Sequence, residues 1–407
     1  MQKARPEEVG LSTPGLARIT THLAKRYVEP RKIAGCLTYV ARRGKLVHTE
    51  AQGFMDLERE KPMQEDTLFR IYSMSKPITS VALMMLAEQG HVQLSDAVHR
   101  FIPEWKNLAV YQTGNYPTFL TTPTQRPMTV HDLLTHMSGL TYGFMERTNV
   151  DAAYRKVGIQ NGAPGTTLKD MIDGLAKIPL EFSPGTAWNY SVATDVLGYL
   201  VEVISGQPYD QFLQENIFGP LGMNDTGFQV PDSKAERFAA CYARSRSKRL
   251  ILQDDPETSP YRKEVTFFSG GGGLVSTADD YLRFCQMLLQ GGELDGARIL
   301  GPRTISYMAR NHLPGGKDLT QMSQGAFSET RYEGTGFGLG FSVTMDPAAA
   351  QVISTGGEFA WGGAASTAFW IDPTEEMIVI FMTQLMPSAT FNFRGQIKQM
   401  TYASILD

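Results

Sequence analysis

A serine hydroxyl and a lysine amine stand three residues apart in Ser73-Met-Ser-Lys76, with Pro77 and the apolar run Ile78–Ala87 directly behind them. Residues at this spacing share one helix face, about 5–6 Å between Cβ atoms, so the amine can reach the hydroxyl. A helix starting near Ser73 puts Pro77 in its first turn, where a missing N–H costs little, and Gly90 offers a stop. Burial of the apolar run partly desolvates the ammonium. Desolvation lowers a lysine pKa, and a neutral amine can take the serine proton, which makes the hydroxyl a nucleophile. The helix N-terminus favours the negative charge that develops there. The chemistry within reach is covalent acyl transfer.

Spacing alone carries little, because Ser245-Arg-Ser-Lys248 fits the same S-x-x-K pattern. That copy lies in the basic stretch Arg244–Arg249 with no apolar helix behind it, and reads as a solvated loop rather than a nucleic-acid patch. Other hydrolytic chemistries are excluded by reading. Each S-x-G serine (Ser183, Ser269, Ser323, Ser354) is preceded two residues earlier by Glu181, Phe267, Gln321 or Val352, where a G-x-S-x-G elbow needs glycine. His131 and His136 are five apart, no H-E-x-x-H occurs, and the cysteines Cys36, Cys241 and Cys285 form no CxxC. The sequence therefore predicts reduced thiols and no metal or cofactor. It also favours Lys or Tyr over His as the base, with His136 making structural hydrogen bonds in its turn.

Two further segments have the chemistry to join the pair. Tyr190 follows the turn Ser183-Pro-Gly and precedes the helix predicted over Val192–Ser205, a place from which a side chain can point into a cleft. Trp361-Gly362-Gly363 runs into the strand predicted over Ala365–Asp372. Two glycines weaken a strand unless something must approach its backbone closely.

The elements that must position these groups come from both ends of the chain. A helical face over Leu16–Tyr27 precedes two β-rich runs, Gly35–Ala41 and Leu46–Glu50, separated by a glycine-containing turn. Near the other end Ala365–Asp372 and Met377–Gln384 flank Pro373-Thr-Glu375, a second hairpin, and Phe391–Ile405 closes as a helix. Between them, Met128–His136, Ser191–Ser205 and Phe212–Phe218 have helical patterns. The expected class is α+β: an antiparallel sheet flanked by N- and C-terminal helices, made of residues 1–90 and 265–407, with a mainly helical domain, 91–264, inserted. The length, 407 residues, suits two or three units. With 38 basic against 42 acidic residues, the net charge of −4 gives no electrostatic reason to expect nucleic acid or anionic membrane as partner. No segment is apolar for long enough to span a bilayer and no secretory signal is visible, so the expected location is the cytoplasm.

In this order, Ser73-x-x-Lys76, Tyr190-Ser191 and Trp361-Gly362-Gly363 resemble the signature elements of the serine β-lactamase and penicillin-binding-protein superfamily, as does Leu133–Leu140. The chain is most similar to its family VIII carboxylesterase branch, which has a class C β-lactamase-like fold. The resemblance implies that Ser73 is the acyl nucleophile and that Lys76 and Tyr190 form the base system. The backbone N–H groups of Ser73 and Ala364 would form the oxyanion hole, at a helix start and a strand edge. Trp361 stands where β-lactamases carry a carboxylate-binding lysine, and Val192 where they carry an asparagine. Both changes replace polar anchors by apolar surface, so Trp361, Gly362, Gly363 and Val192 would line a site for neutral acyl esters, short or bulky. The same acyl-enzyme could serve an acyltransferase, a β-lactamase or a D-amino-peptidase. A non-enzymatic scaffold or sensor on this fold is the remaining alternative, though it has no need of the intact Ser73, Lys76 and Tyr190.

Overall fold

Strands β1 (Gly35–Arg42) and β2 (Lys45–Asp56) form the expected N-terminal hairpin, turning through Arg43 and Gly44, both at positive φ. The computed structural model describes residues 1–159, 165–325 and 332–407. Five later strands join them in the main sheet: β3 (Thr335–Phe337), β4 (Ser342–Thr344), β5 (Phe359–Gly362), β6 (Ala368–Asp372) and β7 (Met377–Met382). These seven run in the order β2-β1-β7-β6-β5-β4-β3, each antiparallel to its neighbour, and the short strand Gln2–Lys3 pairs in parallel with the outer edge of β2. The two ends of the chain meet at β7 and β1, with Met377 opposite Arg42 and Met382 opposite Leu37.

These central strands are largely apolar, Thr38 and Arg42 excepted, because both of their faces are buried. Leu37, Tyr39, Ile378 and Ile380 enter one core, while Cys36, Val40, Val379 and Phe381 enter the other. The helices that matter for the site are α1 (Thr13–Leu23), α2 (Ser75–Glu88), α3 (Val130–Leu134), α4 (Ala193–Ser205), α5 (Ala278–Leu289) and α6 (Phe393–Tyr402). Residues of α1 and α6 fill the outer core, through Ile19, Leu23, Phe393 and Ile397. On the inner side, α2 and α5 join the larger core, and α4 packs on α2. Arg42 clasps both termini: its buried guanidinium donates to the Val9 carbonyl at 2.9 Å and to Asp407 and Glu375 at 2.6 and 2.7 Å. Cys36, Cys241 and Cys285 are buried free thiols.

The inserted segment is less purely helical than its patterns predict. It contains two hairpins, Ala109–Asn115 with Thr118–Pro123 and Cys241–Arg244 with Leu250–Asp254. The basic stretch after Arg244 is the exposed tip of the second hairpin, turning at Lys248 with φ 64°. Strand Cys241–Arg244 also pairs in parallel with Leu385–Met386, so sheet pairing crosses the boundary expected near residue 265. A short hairpin whose register is set by a distant strand leaves no local pattern to read.

Arg70, three residues before Ser73, locks this junction. Its side chain is fully buried and its Nε lies 2.6 Å from Asp254 Oδ2. Nη1 donates to the Ala239 carbonyl at 2.6 Å, and the guanidinium sits 3.9 Å above the Phe238 ring. Removing one partner of a buried pair leaves the other uncompensated, a loss of about 3–5 kcal/mol. Arg70→Ala should therefore lower stability by about that amount in urea unfolding followed by circular dichroism. A midpoint equal to that of the wild type would show that the junction does not depend on this pair.

Candidate active site

Helix α2 is buried on almost every side, from Ser75 to Met84 and again at Leu86, so it can hold side chains at its start rigidly. The α-helix begins at Ser75, and Ser73 lies just before it in a 3₁₀ turn, Tyr72–Met74. Tyr72 has φ 43°, a conformation L-residues other than glycine, Asn and Asp seldom adopt. The turn is tied down by Met74 N–H to Ile71 O at 3.0 Å, Ile71 N–H to Leu274 O at 3.1 Å and Tyr281 Oη to Met74 O at 2.9 Å. Ser73 is left half-buried, with its hydroxyl facing the two groups the sequence pairs with it.

Lys76 Nζ lies 3.2 Å from Ser73 Oγ, as the helical spacing predicts. Tyr190 Oη lies 2.6 Å from the same oxygen, although 117 residues separate the two in the chain. Lys76 and Tyr190 are each 1% exposed. The ammonium sits 4.6 Å from the Tyr190 ring centroid and 5.3 Å from that of Tyr142. Tyr190 is held in the extended segment that enters α4, among His136, Tyr142 and Trp361 at centroid distances of 5.0, 5.1 and 5.6 Å. One half-buried hydroxyl thus has two proton-transfer groups within hydrogen-bond reach, inside a wall of aromatic rings. That geometry can deliver an activated alkoxide to a carbonyl carbon.

His136 has a structural place, as its turn suggests. Its ring shares a hydrogen bond with Ser191 Oγ at 3.2 Å, and its carbonyl accepts from Asn189 N–H at 2.9 Å. Burial, with the nearby Lys76 charge adding to it, holds the imidazole well below its usual pKa, so it stays neutral.

The third element is assembled differently from expectation. Trp361 lies in β5 beside Tyr190 and Phe337, on the site's side of the sheet. Ala364 is not on a strand edge but in the turn that joins β5 to β6, closed by Gly363 N–H to Thr367 O at 2.9 Å. Strand β6 accordingly starts at Ala368, not Ala365. Among the described residues no acceptor engages the Ala364 N–H. The two glycines answer to the protein's own packing. A Cβ on Gly363 would come within 2.4 Å of the Ile71 carbonyl, just before the Tyr72–Met74 turn, and one on Gly362 would meet Arg394. Close backbone approach is the reason for glycine here, but what approaches is this same chain.

Val192 corrects the expected lining. It is 0% exposed, its N–H donates to Thr141 O at 3.2 Å, and its side chain lies in the core, so it presents no surface to a substrate. Two groups that the motifs do not reveal lie beside the amine instead. The Gly271 carbonyl accepts from Lys76 Nζ at 2.5 Å, and Tyr142 stacks on the exposed Phe144 with 4.6 Å between centroids. The run Gly270–Gly273 after Ser269 was the available signal for the first, since four glycines in succession mark a closely packed backbone. Among the described residues no group of three or more His, Cys, Asp or Glu could hold a metal ion, and no helix is long and apolar enough to cross a membrane.

Protein Rv1367c of Mycobacterium tuberculosis is 38% identical over 358 residues, covering 87% of this chain and 86% of that one. Esterase EstB of Burkholderia gladioli is 32% identical over 395 residues, 93% of each chain. Among solved structures, EstCE1, described as a hydrolase with promiscuous acyltransferase activity, superposes with a TM-score of 0.81 at 27% identity, over 96% of this chain and 99% of that one. The Beta-lactamase family profile matches residues 20–399, from α1 to α6, and the chain belongs to that family.

Proposed function

We propose that the protein is a serine carboxylesterase for small, neutral acyl esters. The observation that carries this reading is the convergence of Lys76 Nζ and Tyr190 Oη on Ser73 Oγ, at 3.2 and 2.6 Å. Ser73 Oγ attacks the ester carbonyl and gives its proton to the Lys76–Tyr190 pair, which acts as one coupled unit. The tetrahedral oxyanion faces the N–H groups of Ser73 and Ala364. Collapse expels the alcohol, which takes the proton from the pair, and leaves an ester on Ser73. Water then attacks the acyl carbonyl, giving a proton to the pair, and collapse breaks the bond to Ser73 Oγ, which takes that proton back as the acid leaves.

The substrate class rests on what lines the approach. Trp361 stands where a lysine would pair with an anionic substrate; it and Tyr142 are buried, at 3% and 5% exposure, and Phe144, stacked on Tyr142, supplies the exposed aromatic ring. An uncharged acyl or alcohol group gains from such a ring, whereas a carboxylate loses hydration without compensation. The likeness to Esterase EstB supports hydrolysis. The promiscuous acyltransferase activity of EstCE1 favours a second reading, in which an alcohol intercepts the acyl-enzyme in place of water. The steps up to acyl-Ser73 are common to both.

Ser73→Ala should abolish hydrolysis of p-nitrophenyl butyrate and labelling by a fluorophosphonate probe, while Ser245→Ala leaves both near wild type. Intact-mass spectra check this, and labelling that survives Ser73→Ala removes the basis of the reading. The wild type should prefer p-nitrophenyl esters of short acids to nitrocefin. A kcat/KM that favours nitrocefin would make it a β-lactamase instead. Added alcohol that diverts most of the acyl group into a new ester, detected by chromatography, would favour the acyltransferase.

Lys76→Ala and Tyr190→Phe should each lower kcat by about 10²–10⁴-fold, the usual worth of general acid–base catalysis. Their effects should not multiply, because either loss disables the shared unit. A double variant whose loss equals the product of the single losses would show two independent groups.

A further inference from the structure

The Gly271 carbonyl that holds Lys76 belongs to a loop, Ser269–Gly273, with little freedom of its own. A Cβ on Gly270 would come within 2.6 Å of the Thr194 carbonyl, and one on Gly271 within 2.7 Å of Asp195 Oδ2 and 2.9 Å of Tyr142 Oη. The loop is pressed against the start of α4, and Asp195 binds it there. Asp195 Oδ1 accepts from the Gly271 N–H at 2.9 Å and from Ser269 Oγ at 2.5 Å. The other end of the same peptide is held by α2, where Thr79 Oγ1 donates to the Gly270 carbonyl at 2.7 Å. Gly271 is thus fixed on both sides of its N–H, and its own carbonyl is aimed at the lysine.

A carboxylate only 3% exposed, in the first turn of α4 and five residues after Tyr190, needs a reason to be there. Burial raises its pKa, while the Ser269 hydroxyl, the Lys76 charge and the Gly271 N–H oppose that rise. The groups that favour its charged form are therefore the loop that it anchors and the lysine that the loop holds.

We propose that Asp195 is a positioning residue of the acyl-transfer site, fixing the Gly271 carbonyl that holds the Lys76 amine against Ser73. This rests on the reading of Ser73, Lys76 and Tyr190 given above. Asp195 touches neither substrate nor the reacting atoms. It acts by geometry through the Gly270–Gly271 peptide, and by charge on the groups around Lys76, which are Ser73, Tyr190, Tyr142 and His136.

The full-length Asp195→Asn protein tests this, with Asp280→Asn as comparison. Asp280 is likewise a buried carboxylate, bonded to Thr226 and to the Asp225 N–H. We expect Asp195→Asn to slow fluorophosphonate labelling and to lower kcat for p-nitrophenyl butyrate by about 10–100-fold, with little change in KM, as misplacement of a catalytic group does. The acidic limb of the kcat/KM profile should move to lower pH. Removing a buried negative charge makes the neighbouring proton easier to lose, whether Lys76 or Tyr190 is the acceptor. Asp280→Asn should leave that limb where it is, even if it melts at lower temperature. A folded Asp195→Asn protein with the wild-type labelling rate and pH profile overturns the proposal. If Asp195→Asn does not fold, the half-buried Ser269→Ala decides, because it removes one donor to the same carboxylate. Slower labelling at unchanged melting temperature supports the proposal, and an unchanged rate overturns it. Labelling that persists in Ser73→Ala would instead refute the assignment of the site, independently of Asp195.

Discussion

A lysine ammonium buried at 1% exposure is the constraint around which this protein is built. A charge removed from water must be met by fixed dipoles and partners, or it is lost. Here the partners are the Ser73 hydroxyl, the Gly271 carbonyl and the faces of two tyrosines. Each comes from a different stretch of chain. Helix α2 supplies Lys76, the 3₁₀ turn supplies Ser73, the lead into α4 supplies Tyr190, and a glycine loop supplies the carbonyl. The surrounding structure is arranged so that these four can meet.

That explains why glycines and buried polar residues gather near the site. Gly271 leaves room for Asp195 and Tyr142, and Gly363 leaves room for the Ile71 carbonyl. Arg70, a few residues from Ser73, ties the strand before it to Asp254 and Ala239. The turn that carries Ser73 is thereby held from the sheet side by β5 and its following turn, and from the Cys241–Asp254 hairpin by the Arg70 cluster. A serine held so rigidly loses little freedom when it reacts, which is how positioning lowers a barrier.

In the aromatic wall, Tyr142, His136, Trp188 and Trp361 exclude water from around Tyr190, which strengthens every electrostatic contact on Ser73. Phe144, exposed and stacked on Tyr142, is the ring that this wall turns toward solvent.

Local pattern was enough to place Ser73 with Lys76, to put Tyr190 before a helix, and to read both terminal hairpins. In each case the cause lies within a few residues: helical periodicity, a glycine-bearing turn, alternation along a strand. The resemblance of three motifs in fixed order carried the family and the α+β architecture. What the sequence could not hold is anything decided by contacts between distant segments. The hairpin at Cys241–Asp254 takes its place from Leu385–Met386 and Arg70. Val192 matches a substrate-facing position in the motif, yet the packing of α4 turns its side chain into the core. Gly362 and Gly363 signal close approach, but only the folded chain reveals that Arg394 and Ile71 are what approach. Asp195 reads as an ordinary first-turn acid until the loop at Gly271 folds over it. Spacing determines what neighbours along the chain can do. Burial, and the partners it demands, is settled when segments far apart in sequence close on one another.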